Sequence, residues 1–207
     1  AQIHFMAGRA GEARAQLEWL VARYPRAWGY HYRLGEAHEK AGASADARTS
    51  YEAAAKAGGE ELITGHVTEA RQALSRGNLE LAFDLGWRLA RLAPARAEGH
   101  AFVCLAYARA RQHANAVESC RQALALDADS EDAHRGLAIA LRALDQNAEA
   151  RTHAELVVRK SPRDAEAHYR LGDILAALGE MAPAAAEFRE STKLDPTLPE
   201  PRLRLGD

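Results

Sequence analysis

Strong charge of one sign is missing from this chain of 207 residues: 27 lysines and arginines stand against 29 aspartates and glutamates, a formal net charge of -2. That balance supplies no general field for holding nucleic acid or an acidic membrane surface, so neither is expected as a partner. Long hydrophobic runs are missing too. No stretch approaches the roughly eighteen consecutive apolar residues of a membrane-crossing helix, and no membrane insertion is expected. Lysine is scarce, with four of the 27 basic residues. Together with abundant alanine and arginine, that skew points to a GC-rich bacterial genome without choosing between cytoplasm and periplasm. Cysteine is scarcer still: Cys104 and Cys120 are the only two, and no metal-ligand spacing accompanies them. They read as two small core residues, or as a disulfide, which requires Cα atoms within about 7 Å.

What the chain does have is a period. His31, His66, His100, His134 and His168 are separated by 35, 34, 34 and 34 residues, and the segments they open resemble one another, as AHYRLGDILAALG does YHYRLGEAHEKAG. Superposing the segments aligns Gly35, Ala70, Cys104, Ala138 and Gly172 at one small-residue site, and Ala47, Ala82, Ala116, Ala150 and Ala184 at a second. A third site holds Tyr51, Gly86, Cys120, Ala154 and Phe188, while Pro25, Pro94, Pro162 and Pro196 close four of the segments. Such a repeat means stacked supersecondary units, each burying its apolar face against its neighbours, in place of one globular core.

Each unit reads as a helical hairpin. In residues 165 to 178, Ala167, Leu171, Ile174, Leu175 and Leu178 return every three to four positions, the period of an amphipathic helix. Gly179 follows as a terminator and Pro183 falls in the first turn of a second helix, where its missing N–H costs nothing. Pro196 stops that helix, because a proline ring clashes with continued helix. Small residues at the paired sites predict closely approaching helix axes. One join is irregular: at Gly58-Gly59 the proline is missing and the spacing lengthens by one residue, which predicts a bend or a soft point.

These residues resemble the tetratricopeptide repeat, and the resemblance covers essentially the whole chain. It implies an all-α, right-handed superhelical solenoid of antiparallel helix pairs. The units run over 28 to 62, 63 to 96, 97 to 130, 131 to 164 and 165 to 198, with a partial unit at 1 to 27 and the start of another at 199 to 207. Both ends cut through a unit, so a segment of a longer solenoid is expected. Two departures stand out: histidine occupies the family's tryptophan site, and Glu69 sits where the family places leucine.

The resemblance also implies where a partner binds, on the concave face made by the first helices. Its positions in this sequence give Phe5 and Met6 from the partial unit, then Tyr32, Val67, Arg71, Leu74, Phe102, Leu105, Arg109, Arg135, Ile139, Arg142 and Tyr169, with Arg33, Glu36, Glu39, Arg170 and Asp173 beside them. Val67, Leu74, Phe102, Leu105 and Ile139 are expected to form one apolar stripe across successive helices, the kind of surface that marks an interaction site. The lysine and asparagine that family members use to clamp a chaperone's terminal carboxylate are replaced here, for example by Tyr32 and Glu36. The expected partner is instead a protein or peptide with apolar anchors and some acidic residues for the arginines.

Catalysis finds no support. Equivalent histidines lie about one helix spacing, roughly 10 Å, apart, too far to share an ion whose bonds to nitrogen are about 2 Å. The histidines read as aromatic-slot fillers whose polar edge reaches water or a backbone group. No nucleophile elbow or phosphate loop occurs. No catalytic residue, metal or cofactor is expected, and the function reads as a non-enzymatic protein-interaction scaffold within a larger bacterial protein. Two alternatives stand beside it: the substrate-recognition arm of an enzyme, such as a transferase, whose catalytic domain lies elsewhere, and a self-assembly module forming homo-oligomers. Trp19 and Trp87, late in second helices, read as packing residues or as a second contact surface.

Overall fold

The computed structural model describes residues 10–198, so Phe5, Met6 and the two end fragments lie partly or wholly outside the described residues. Among those residues there are ten helices and no strand. They are α1 (Ala10–Arg23), α2 (Trp28–Lys40), α3 (Ser44–Ser75), α4 (Leu79–Leu92), α5 (Glu98–Arg109), α6 (His113–Leu126), α7 (Glu131–Ala143), α8 (Asn147–Lys160), α9 (Ala165–Ala177) and α10 (Met181–Leu194). Consecutive helices pack as antiparallel pairs, and each pair stacks on the next. None of these helices is long and apolar enough to cross a membrane.

The turn inside each hairpin is built one way throughout. A residue in the left-handed region follows the first helix, and the next amide donates back five residues: Ala43 to His38, Asn78 to Ala73, Gln112 to Tyr107, Gln146 to Leu141 and Glu180 to Leu175, each 2.9 Å. This is the Schellman closure, which favours glycine because only glycine lacks a Cβ to clash there. Gly42, Gly77 and Gly179 fill the site in three hairpins, but Arg111 (φ 60°) and Asp145 (φ 59°) fill it in the other two.

The turn between hairpins is equally regular. Its closing amide donates to the carbonyl three residues back, as from Arg96 to Ala93 (2.9 Å) and from Asp164 to Ser161 (3.0 Å). Proline occupies the second turn position, for which its fixed φ is suited, except at 127–130, where Ala128 stands. The repeated histidine then ties this turn to the helix that follows. The Nε2 of His31, His134 and His168 lies 2.9, 3.1 and 3.1 Å from the carbonyl oxygens of Pro25, Ala128 and Pro162.

Within each hairpin the two central sites complement each other in volume. A Cβ on Gly35 would come within 2.5 Å of the Tyr51 ring, and one on Gly172 within 2.7 Å of the Phe188 ring. Where the second-helix site is small, as at Gly86 or Ala154, the first helix carries alanine, Ala70 or Ala138. In the third hairpin the pair is covalent: Cys104 and Cys120 form a disulfide with Cα atoms 5.0 Å apart. Both sulfurs are buried, with Gly136 of α7 against them.

The irregular join is a kink inside α3. Gly59 adopts φ 65° and ψ -171°, and a Cβ on Gly58 would collide with the Leu62 side chain. One non-helical residue replaces a whole turn, and the stack changes there. In α5, Gly99 meets Ala90 and Val103 meets Gly86 on the preceding second helix. The equivalent residues Ala133, Leu137 and Ala140 of α7, and Ala167, Leu171 and Ile174 of α9, are all buried. In α3 those positions read Gly65, Glu69 and Gln72, all exposed. The first hairpin docks by another route: Trp28 sets its ring 5.7 Å from that of His66, and Glu39 pairs with Arg91 of α4 at 3.1 Å. With no inter-hairpin turn to offer a carbonyl, the Nε2 of His66 is buried without a partner.

Candidate functional site

The expected apolar stripe turns inward. Phe102 is 0% exposed and Leu105 3%, and with Tyr32 and Leu74 they belong to the core that includes Leu85 and Leu89. These four residues are therefore interior packing, and their expected place on the binding surface is corrected. The cause lies in α5, where Phe102, Val103, Cys104, Leu105 and Ala106 are all buried, so the helix is apolar all round, as only a helix covered on every side can be. Arginines close the lid. The Arg71 guanidinium lies 5.9 Å from the Phe102 ring centre, and Arg109 donates to the Leu74 carbonyl near the end of α3, which also accepts from the Gly77 amide. Val67, Ile139 and Tyr169 are half-buried and are the apolar residues of the expected set that reach the surface.

What the surface carries instead is a set of arginine–carboxylate pairs joining first helices of different hairpins. Arg71 of α3 meets Asp132 of α7 at 3.3 Å, and Arg142 of α7 meets Asp173 of α9 at 3.0 Å. Arg135 bonds both Glu131 of its own helix and Asp164 of the following turn at 2.7 Å. Burial opposes the Arg135 charge, but Asp164 and Glu131 together outweigh it and hold the guanidinium protonated more firmly than in water. The arginines expected to await an acidic partner are thus engaged inside the chain.

Two of them, Arg71 and Arg135, line a cleft of about 680 Å³ between the turn at 95–98 and the turn at 126–132. Arg96 stands across it, bonded to Glu98 at 2.7 Å and Glu60 at 2.5 Å. The hydrogen bond from Arg96, against a smaller opposing effect of burial, lowers the Glu98 carboxyl below the usual range. Asp127, Asp129, Glu131 and Asp132 complete the lining with Ser130, so carboxylates outnumber guanidinia. The acidic run DADSED at 127–132, which passes from the turn into the first residues of α7, was the sequence signal for this feature.

Elsewhere, Trp87 sits edge-on to His100 with ring centres 6.2 Å apart, a packing contact, whereas Trp19 is 64% exposed on α1. Among the described residues no three side chains of histidine, cysteine, aspartate or glutamate gather closely enough to hold a metal.

The tetratricopeptide repeat family profile matches residues 1–61, 104–164 and 135–199. With hairpins, turns and joint residues all in register, the chain belongs to the tetratricopeptide repeat family. Solved structures share the fold. MamA 41-end from Desulfovibrio magneticus RS-1 is 23% identical over 72% of this chain and 83% of its own, with a TM-score of 0.57. TTC0263 of Thermus thermophilus, a thermophilic TPR protein, is 19% identical over 87% and 97% with a TM-score of 0.58. YrrB, described as a TPR protein with an unusual peptide-binding site, is 13% identical over 87% and 93% with a TM-score of 0.52. No curated protein shows a significant match to the chain.

Proposed function

We propose that the chain is a non-enzymatic protein-recognition scaffold, one array over residues 1–207, that holds a segment of another polypeptide along its first-helix face. The observation that carries this reading is the cleft walled by the turns at 95–98 and 126–132, where a polar lining is already ordered by ion pairs. Excess carboxylate there favours a segment that inserts a basic side chain. Half-buried Ile139 and Tyr169 offer apolar contact elsewhere on the first helices. The peptide-binding site named for YrrB supports such a role for an array of this fold.

The test is capture of partners from a bacterial lysate by the chain and by Asp132→Lys. Salt-sensitive capture that disappears with Asp132→Lys, while its helical signal stays intact, supports the reading. The same proteins bound equally by both rejects it. Trp19, 64% exposed, favours a second reading of self-association, which light scattering across a dilution series reads directly.

A further inference from the structure

The fourth hairpin holds a contact that the others lack. The Nδ1 of His134 on α7 lies 2.9 Å from the Nδ1 of His153 on α8, with the rings stacked at 5.1 Å. His134 is buried, and its other nitrogen, Nε2, lies 3.1 Å from the Ala128 carbonyl. A carbonyl only accepts, so Nε2 of His134 carries the hydrogen and its Nδ1 is bare. The hydrogen between the rings therefore belongs to Nδ1 of His153. One histidine thus links the second helix of its hairpin to the turn at 127–130, a wall of the cleft described above.

This arrangement admits few protons. A first proton on Nε2 of His153 leaves the ring-to-ring bond in place but sets a charge in a half-buried joint beside Arg121 of α6, which Glu149 of α8 offsets from 3.5 Å. A second proton, on Nδ1 of His134, makes both facing nitrogens donors, and two N–H groups cannot share 2.9 Å. The other charged groups around the joint are already paired: Glu131 with Arg135, and Lys160 with Asp129 across the turn at 3.3 Å. Burial first, and then the neighbouring His134, push the His153 titration down from its ordinary value.

The fifth hairpin supplies the internal comparison. There His168 uses Nε2 on the Pro162 carbonyl in the same way, but its Nδ1 faces Glu187 at 2.6 Å. Carbonyl and carboxylate both accept, so making both bonds takes the two N–H groups of an imidazolium, and acid supplies the second hydrogen here where it breaks the ring-to-ring bond of the fourth hairpin.

We propose that the His134–His153 pair is a proton-operated joint: acid separates the two rings and loosens the turn at 127–130, and with it one wall of the cleft. The consequence for partner binding rests on the reading given under Proposed function, while the opening itself does not.

Hydrogen–deuterium exchange of the free protein, corrected for intrinsic chemistry, tests the opening without any partner. Exchange across 127–134 is expected to rise severalfold more between pH 7.5 and 5.0 than across the equivalent segment 161–168. His153→Glu, which copies the pair of the fifth hairpin, and His153→Gln, which removes the second titrating ring, both flatten the difference. Equal rises in the two segments, or an undiminished rise at 127–134 in whichever variant folds, overturns the proposal. An opening that proceeds as expected while Asp132→Lys leaves capture unchanged rejects the cleft as the binding site and leaves the joint standing.

Discussion

Gly136 of α7 packs so tightly on Sγ of Cys104 that a methyl group in its place would overlap the sulfur. The disulfide of one hairpin is thereby the stacking surface of the next. Gly136→Val is expected to force α7 away from α5 and α6 and to cost about 1–3 kcal/mol, as overpacking of a close-packed interior does. Urea denaturation followed by circular dichroism measures it. Cys120→Ser, which opens a loop spanning 16 residues of separation, is expected to lose about 3 kcal/mol. If the oxidised and reduced chains unfold at the same midpoint, the bridge contributes nothing.

Phe102 separates a surface role from an interior one. A residue on a binding wall can be replaced with the melting curve unchanged, but Phe102 lies wholly inside the core. Phe102→Ala is expected to cost about 3–5 kcal/mol through lost burial and the cavity left behind. A thermal midpoint within a degree or two of the parent chain would return Phe102 to the surface.

How much of this was legible in the sequence differs from feature to feature. The histidine period, Gly179 and the four turn prolines specify hairpins and their limits, because turn chemistry and helical periodicity are local. The depth of a residue in the stack is not local. Leu105 stands at a position that faces a groove in a unit considered alone, and in the stack it joins the core that holds Leu74 and Leu85 of the preceding hairpin. A signal existed in the run AFVCLAYA, apolar on every side, which suits only a helix enclosed by others. Glu69, polar where α5 and α7 carry Val103 and Leu137, likewise announced that the stacking face is open beyond Gly58-Gly59.

Acid also acts on two histidines of the second and third hairpins. His66 is lowered by burial and then by the Arg88 charge, and His100 by burial. The unfolded chain takes up protons at the ordinary value of about 6.5 while the folded chain resists. Stability is therefore complete above that value and falls as the pH drops below it. Thermal midpoints at pH 7.5 and pH 5.5 are expected to differ measurably, and His66→Leu to reduce the difference. A flat midpoint in the parent chain contradicts the burial of these rings.

Arg111 holds a left-handed backbone at a site where three other hairpins place glycine. The conformation costs an ordinary residue about 1–2 kcal/mol, against roughly 0.5–1 kcal/mol of extra chain entropy when glycine is fixed. Arg111→Gly is accordingly expected to stabilise the chain by several tenths of a kcal/mol to about 1 kcal/mol. A lower denaturation midpoint would mean that the Arg111 side chain makes a contact worth more than the strain.

The matched volumes at the hairpin joints bear on how such an array can change. Tyr51 needs the emptiness of Gly35, Phe188 that of Gly172, and Cys120 a thiol opposite it. Repeats that arose by copying are thus no longer spare parts for one another: a recombination that grafts one hairpin's second helix onto another's first yields a steric collision or a gap. Divergence at either site drags its mate along, and whole hairpins, not single helices, are the pieces that evolution or an engineer can move.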